Sequence, residues 1–329
     1  GDSRAVTLDA IDNGGAPSFI VSSLGLGLLV TLGESLTLSA LVDLVPRSRD
    51  VSSSDGIFLG DHVDVKLAYA QYDWAFESVE LSLAAGKVDS LLGREYRGQD
   101  ADTRLGVTPS LICRYTCGRP LGLRARLVGV DVPFTAALGV ANGSSGVELF
   151  PLSSELDDNA VKTVSGRLSY TLPLADGLEL GASGMVGAQD LQTDDGTVHW
   201  QVGADLHWAW GDLELAGELV KGRADGRTSP GGVACDEAQC LEYLGAYGWV
   251  AYRLFHWLTP YTRLDGRSAL HRHGASFVYV SELLRATVGL RSELGEHVIV
   301  KAEYTFVREL GEVPDIDDDV LTSSLVVRY

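Results

Sequence analysis

Arginines two residues apart are the first feature of this chain that could do chemistry. Arg124 and Arg126 share one face of an alternating segment, and Arg167, Arg263, Arg285, Arg291 and Lys301 take equivalent positions elsewhere. Carboxylates do the same at Glu80, Asp205, Glu214, Glu218, Asp265 and Glu303. Cations and anions on opposing walls create a transverse field that sorts small solutes by charge and dipole. The same charges can equally do no more than solvate a wide polar wall.

Hydrolysis needs a nucleophile or activated water beside a base. His199, Asp205 and His207 fall on one face, and His271 and His273 in a segment read as a link. No Gly-x-Ser-x-Gly or zinc motif accompanies them, and alternation by itself puts polar residues together. The chain is therefore read as non-enzymatic and without a cofactor. Acidic clusters at Glu155–Asp158, Asp190–Asp195, Asp236–Glu237 and Asp315–Asp319 match no calcium-loop spacing and read as solvated links. The cysteines form two close pairs, Cys113 with Cys117 and Cys235 with Cys240. Metal binding would call for Cys-x-x-Cys spacing or nearby histidines, and neither is present. Two local disulfides fit better, and they imply an oxidising compartment.

The elements that must position these groups are strands. Val198, Trp200, Val202, Ala204, Leu206 and Trp208 alternate with His199, Gln201, Gly203, Asp205 and His207. A strand puts such sets on opposite faces, whereas a helix would scatter them. Residues 121–127, 161–172 and 284–291 repeat the pattern. Strands are expected at 4–12, 17–32, 35–46, 62–74, 78–91, 121–130, 132–143, 160–172, 177–190, 196–210, 212–224, 243–257, 258–270, 279–294, 297–310 and 317–329. That is about sixteen, an even number as in single-chain bacterial outer-membrane barrels.

Short and long links alternate. Short ones include Gly33-Glu34, Ala175-Asp176-Gly177, Trp210-Gly211-Asp212 and Gly295-Glu296-His297; long ones include 47–61, 92–120, 144–159, 225–242 and 271–278. Long links on one side and tight turns on the other are the pattern of a transmembrane barrel, with the tight turns periplasmic. Trp74, Phe76, Trp208, Trp210, Phe255, Trp257 and Tyr261 lie beside the short turns, as expected of an interfacial girdle. Tyr329 ends a last alternating segment, resembling the C-terminal recognition strand of outer-membrane proteins.

Composition agrees. The 329 residues carry a formal charge of -19 with 45% hydrophobic residues, and mean hydropathy is slightly positive. The acidity disfavours nucleic acid, whose binding rests on phosphate neutralisation by Lys and Arg. Thirty-eight glycines and a single methionine, Met185, disfavour a helical bundle. The segment Ala16–Gly33 is long enough for a membrane helix but is interrupted by Ser22, Ser23, Gly25 and Gly27, and it has no second like it. The polar start Gly1-Asp2-Ser3-Arg4 reads as a mature chain whose export signal has been removed.

The pattern as a whole resembles a general porin. Ala85–Gly93 and Gly139-Val140-Ala141-Asn142-Gly143 are similar to segments of phosphate-selective-type porins, although a proline usual before the second glycine is missing from the first. The resemblance implies one closed antiparallel barrel over residues 1–329 in the bacterial outer membrane. Both termini would be periplasmic, and lipid and lipopolysaccharide would lie outside. Small hydrophilic solutes or ions would diffuse through a homo-oligomer, for which a trimer is one form. It also implies that 92–120, the third external link, folds inward. Arg94, Arg97, Arg104, Arg114 and Arg119 would then meet Arg124 and Arg126 at a locally positive constriction, with Glu95, Asp100 and Asp102 beside them. Two alternatives stand: a plugged or gated barrel serving a surface machine, and a soluble periplasmic β protein.

Overall fold

The computed structural model describes residues 24–44, 63–142, 160–173, 177–188, 196–225, 234, 235, 237, 240–273, 277–310 and 319–329, with only the backbone described for 271–273 and 277–280. Fifteen strands form one sheet in strict chain order. They are β1 (Leu24–Leu32), β2 (Leu36–Leu44), β3 (Val63–Ala75), β4 (Val79–Lys87) and β5 (Leu121–Gly129). Next come β6 (Phe134–Ala141), β7 (Thr163–Thr171), β8 (Glu179–Ala188), β9 (Val198–Trp210) and β10 (Leu213–Asp225). Last are β11 (Cys240–Tyr252), β12 (Leu258–His273), β13 (Phe277–Leu294), β14 (Val298–Glu309) and β15 (Val320–Val327). Every neighbouring pair is antiparallel, as in Leu206↔Gly217 and Gly217↔Gly248.

The short links are as tight as the alternation requires. Gly33, Gly211 and Gly295 sit at φ of 67°, 58° and 76°, a left-handed backbone that turns of this kind demand and glycine adopts without strain.

Alternation decides the two faces. Leu123, Leu168 and Leu264 point outward at 62%, 58% and 59% exposure, while Arg124, Arg167 and Arg263 beside them point inward. A continuous apolar surface of this kind is too large for water and suits lipid. No helix among the described residues is long and apolar enough to cross a membrane.

Several expectations change. Fifteen strands are described instead of sixteen; the expected strand 4–12 and the first part of 17–32 lie outside the described residues, as do the links 47–61 and 144–159. Within the described residues β1 and β15 are not paired with each other. Both run toward the short-turn end: β1 leads into the turn at Gly33, and Arg328 N–H just after β15 donates to His297 O. The link expected at 271–278 is mostly strand, since His271↔Tyr279 and His273↔Phe277 continue the β12–β13 ladder. His271 and His273 therefore belong to β12. The strand expected to run to 257 ends at Tyr252, and a tight link closed by a Phe255↔Leu258 bridge follows.

Candidate functional site

The residues between β4 and β5 cross the interior of the sheet. They contain a 3-10 turn (Glu95–Gly98) and one helical turn, α1 (Cys113–Thr116). A link lying over the inner face of a sheet has no strand partner, so its backbone N–H and C=O groups must find others. Here the wall supplies them.

Wall carboxylates take the loop's N–H groups. Glu218 of β10 accepts from Arg94 N at 2.9 Å and Glu95 N at 3.2 Å. Glu303 of β14 accepts from Val107 N and Thr108 N, both at 2.8 Å, and also from the Tyr261 hydroxyl. Asp265 of β12 accepts from Leu111 N at 3.1 Å. Wall cations take the carbonyls. Arg263 donates to Thr108 O at 2.8 Å and Pro109 O at 3.3 Å, and Arg285 also donates to Pro109 O. Arg291 donates to Arg104 O at 2.8 Å and Asp102 O at 2.9 Å. Lys301 donates to the carbonyls of Ala101, Arg104 and Gly106. Gly93 makes the closest approach. It sits at φ 62°, and a Cβ there would fall 1.8 Å from a Glu218 oxygen.

The wall charges also pair among themselves. Asp265 joins Arg263 at 2.9 Å and Arg285 at 3.3 Å. Arg167 reaches Glu179 at 3.3 Å and also Asp205. Glu179 takes Arg94 at 2.8 Å and Arg97 at 3.5 Å from the loop. Across the interior, Asp100 of the loop meets Arg119, and lies 3.9 Å from Lys66 of β3.

Toward the long-link end the loop carries a small apolar core. Tyr115 stacks on Tyr243 with ring centroids 3.8 Å apart and planes within 7°. Ile112, Val220, Leu241 and Tyr247 surround them. The Cys113–Cys117 disulfide closes α1, and Cys235–Cys240 closes the entry to β11, as expected from spacing. Glu95 lies close to Cys113 and Cys117, but both sulfurs are committed to the disulfide. Burial pushes the Glu95 carboxyl above its ordinary range, opposed by Arg263 and by Ser110, which donates its N–H at 2.7 Å and its hydroxyl.

The structure thus brings Arg94, Arg97, Arg167, Asp205, Glu218, Arg263, Arg285, Arg291, Lys301 and Glu303 into one network of wall and loop. Arg114 sits on α1, half-buried. Arg124, Arg126 and Glu80 stand apart on β4 and β5. All three point inward; Glu80 and Arg126 are exposed, and Arg124 is half-buried, 3.5 Å from Gln71 Oε1. On the outside, Trp208 and Trp210 stack at 5.8 Å beside a short turn, with Trp74 next to Tyr72 at another. Tyr329 is fully exposed and stacks on His297. One aromatic expected in the girdle turns elsewhere: Tyr261 is buried in the interior, because β12 turns its odd-numbered side chains inward. Trp257, in the link before β12, is 40% exposed and stacks on Phe255 at 5.7 Å, and it also lines an inner cavity.

That cavity holds about 470 Å³ between the underside of the loop and β9–β13, near the short turns. Arg104, His207, Glu214, Trp249, Arg253 and Trp257 are among its lining residues. His207 Nε2 lies 2.7 Å from Glu214 Oε1. Sequence reasoning missed Tyr243, Tyr247 and Trp249 as interior residues, although their odd spacing along β11 carries the signal.

The architecture is shared with solved structures. It is similar to OmpF of Salmonella typhi, solved as a complex with daunomycin, at 11% identity and a TM-score of 0.60 over 92% of this chain and 88% of that one. It is similar to the trimer form of OmpT, an outer membrane protein of Vibrio cholerae, at 13% identity and 0.56 over 94% and 89%. It is also similar to the outer membrane channel DcaP of Acinetobacter baumannii, at 12% identity and 0.55 over 92% and 82%. No protein-family model and no curated protein matches the chain. The fold is that of bacterial outer-membrane porins.

Proposed function

We propose that the chain is an outer-membrane porin in which small hydrophilic solutes or ions diffuse between the crossing loop and the wall of β3–β6. One observation carries this reading. Inward residues of β9–β14, such as Asp205, Glu218, Arg263, Arg285 and Lys301, are buried beneath the loop, whereas Glu80 and Arg126 on β4 and β5 stay exposed. An inner surface that is charged and accessible to water on one side is what a conducting path requires. Arg124 and Arg126 make that side locally positive, so anions are favoured despite the acidic total.

Closure at sixteen strands belongs to the same proposal. β1 and β15 run in the same direction, so an antiparallel cylinder needs one further strand between them, running the opposite way. Open edges in hydrocarbon would leave unpaired backbone groups costing several kcal/mol each. The expected strand at 4–12 would meet this requirement. The short-turn end, with both termini, would face the periplasm, and the apolar outer surface would meet lipid and lipopolysaccharide. A homotrimer is the proposed assembly, as in the trimer form of the Vibrio cholerae protein.

Reconstitution into planar bilayers tests the reading. Discrete, large conductance steps are expected, and a silent barrel would overturn it. A second reading, a plugged barrel serving a surface machine, draws on the reach of the loop from Lys301 across to Lys66. Silence in bilayers together with co-purifying subunits would favour it.

A further inference from the structure

We propose that the cavity beneath the crossing loop binds a small organic anion, with its oxyanion head on Arg104 and a flat apolar body against Trp249 and Trp257. The proposal rests on the reading of the interior as open to solutes. It deepens that reading by naming a solute class and a place where it pauses.

Most charges around the cavity already have partners. Arg94 and Arg97 are tied to Glu179, Arg263 to Asp265, and Arg291 to Glu293 at 2.8 Å. Glu95 is engaged by Ser110 and Glu214 by His207. Asp212 stands exposed at the rim, where water screens it. Two cations are left. Arg253 is exposed at the rim and makes no ion pair among the described residues. Arg104 lies deeper, and its Nε is shut off from solvent with no hydrogen-bond partner.

Arg104 is held in place for this role. Its N–H donates to Asp100 O at 2.9 Å, and its carbonyl accepts from both Arg291 and Lys301. Its backbone is thus fully used while its side chain is not. Glu95 and Glu303 attract the guanidinium from a distance, but neither forms an ion pair with it, and burial works against its charge. Arg104 is half-buried with its Nε shut off from solvent and unpartnered; leaving such a guanidinium N–H without an acceptor is costly, and a planar oxyanion can satisfy it bidentately. The volume of about 470 Å³ lies within the usual range for small-molecule sites, roughly 300–1,000 Å³. Trp249 and Trp257 supply ring surface on the same cavity, which an inorganic anion would leave unused.

The test uses the full-length protein in detergent micelles and benzoate as the probe, followed by calorimetry and by current block in bilayers. Saturable binding is expected. It should weaken at least tenfold in Arg104→Gln and recover in large part in Arg104→Lys, each variant being checked for the heat-dependent gel shift of a folded barrel. Trp257→Leu, in an exposed link, should weaken benzoate while sparing acetate. Benzyl alcohol binding as well as benzoate would overturn the oxyanion assignment; phosphate binding as well as benzoate would overturn the apolar body. A barrel that conducts but ignores benzoate sinks the site and leaves the channel standing. A barrel that binds benzoate but passes no current does the reverse.

Discussion

The two halves of the inner wall obey the same sequence rule and meet different fates. On β9–β14 most inward charges are buried or half-buried and spent on the backbone of the crossing loop: Glu218 and Glu303 take its amides, Arg291 and Lys301 its carbonyls, while Glu214 and Glu293, nearer the short turns, keep contact with water. On β4 and β5, Glu80 and Arg126 face open space. Residue type does not separate the halves, since both carry Arg and Glu. What separates them is whether a second layer of chain lies over the wall. A charge under the loop has exchanged water for peptide groups and holds structure together. A charge facing water keeps its field free to act on whatever passes.

The largest effect should come from removing the second layer. Replacing residues 94–112 by a short Gly-Ser link would uncover the β9–β14 wall and make the two halves alike. Single-channel conductance should rise several-fold while the barrel keeps its heat-dependent gel shift. Unchanged conductance would mean that current never passed alongside the loop.

A smaller break is Glu303→Ala. It leaves the amides of Val107 and Thr108 without an acceptor and removes a carboxylate close to Arg263. Loss of one partner of a buried charged network costs about 3 kcal/mol, so the urea midpoint should fall and a protease should now cut within 100–112. A variant as stable and as resistant as the parent would remove Glu303 from the clamp.

Alternation along 198–208 and 121–127 fixed which side chains point in, and the register agrees at every strand named. The tight turns and both disulfides were legible for the same reason: each depends on residues close in sequence. The clamp was not. That Lys301 would hold the carbonyls of Ala101, Arg104 and Gly106 depends on the path of a loop some 200 residues away in the chain, and no local period encodes that path. The misread link at 271–278 has another cause. Here the alternation is lost in both directions, since His271-Arg272-His273 is polar at successive positions and Phe277-Val278-Tyr279-Val280 apolar at successive positions, while the backbone pairing of β12 and β13 continues through His273↔Phe277. Tyr261 was placed by its nearness to a turn, when its odd position on β12 already assigned it to the interior.

The prediction with the smallest effect on stability bears most directly on function. Arg124→Glu together with Arg126→Glu alters side chains that face water or a single glutamine oxygen at 3.5 Å, so folding free energy should move by no more than about 0.5 kcal/mol. The field should change sign all the same. Two positive charges become two negative ones on the wall that the loop leaves bare, and selectivity follows the potential at the narrow point more closely than the total charge of -19. Under a salt gradient the reversal potential should move toward that of a cation-preferring pore. The matching change on the covered half, Arg263→Glu, should instead cost stability, because Asp265 would face a second carboxylate and Thr108 O would lose its donor. If both changes moved the reversal potential equally and neither affected stability, the two halves would be equivalent, and the distinction between a wall that holds the loop and a wall that faces the solute would have to be given up.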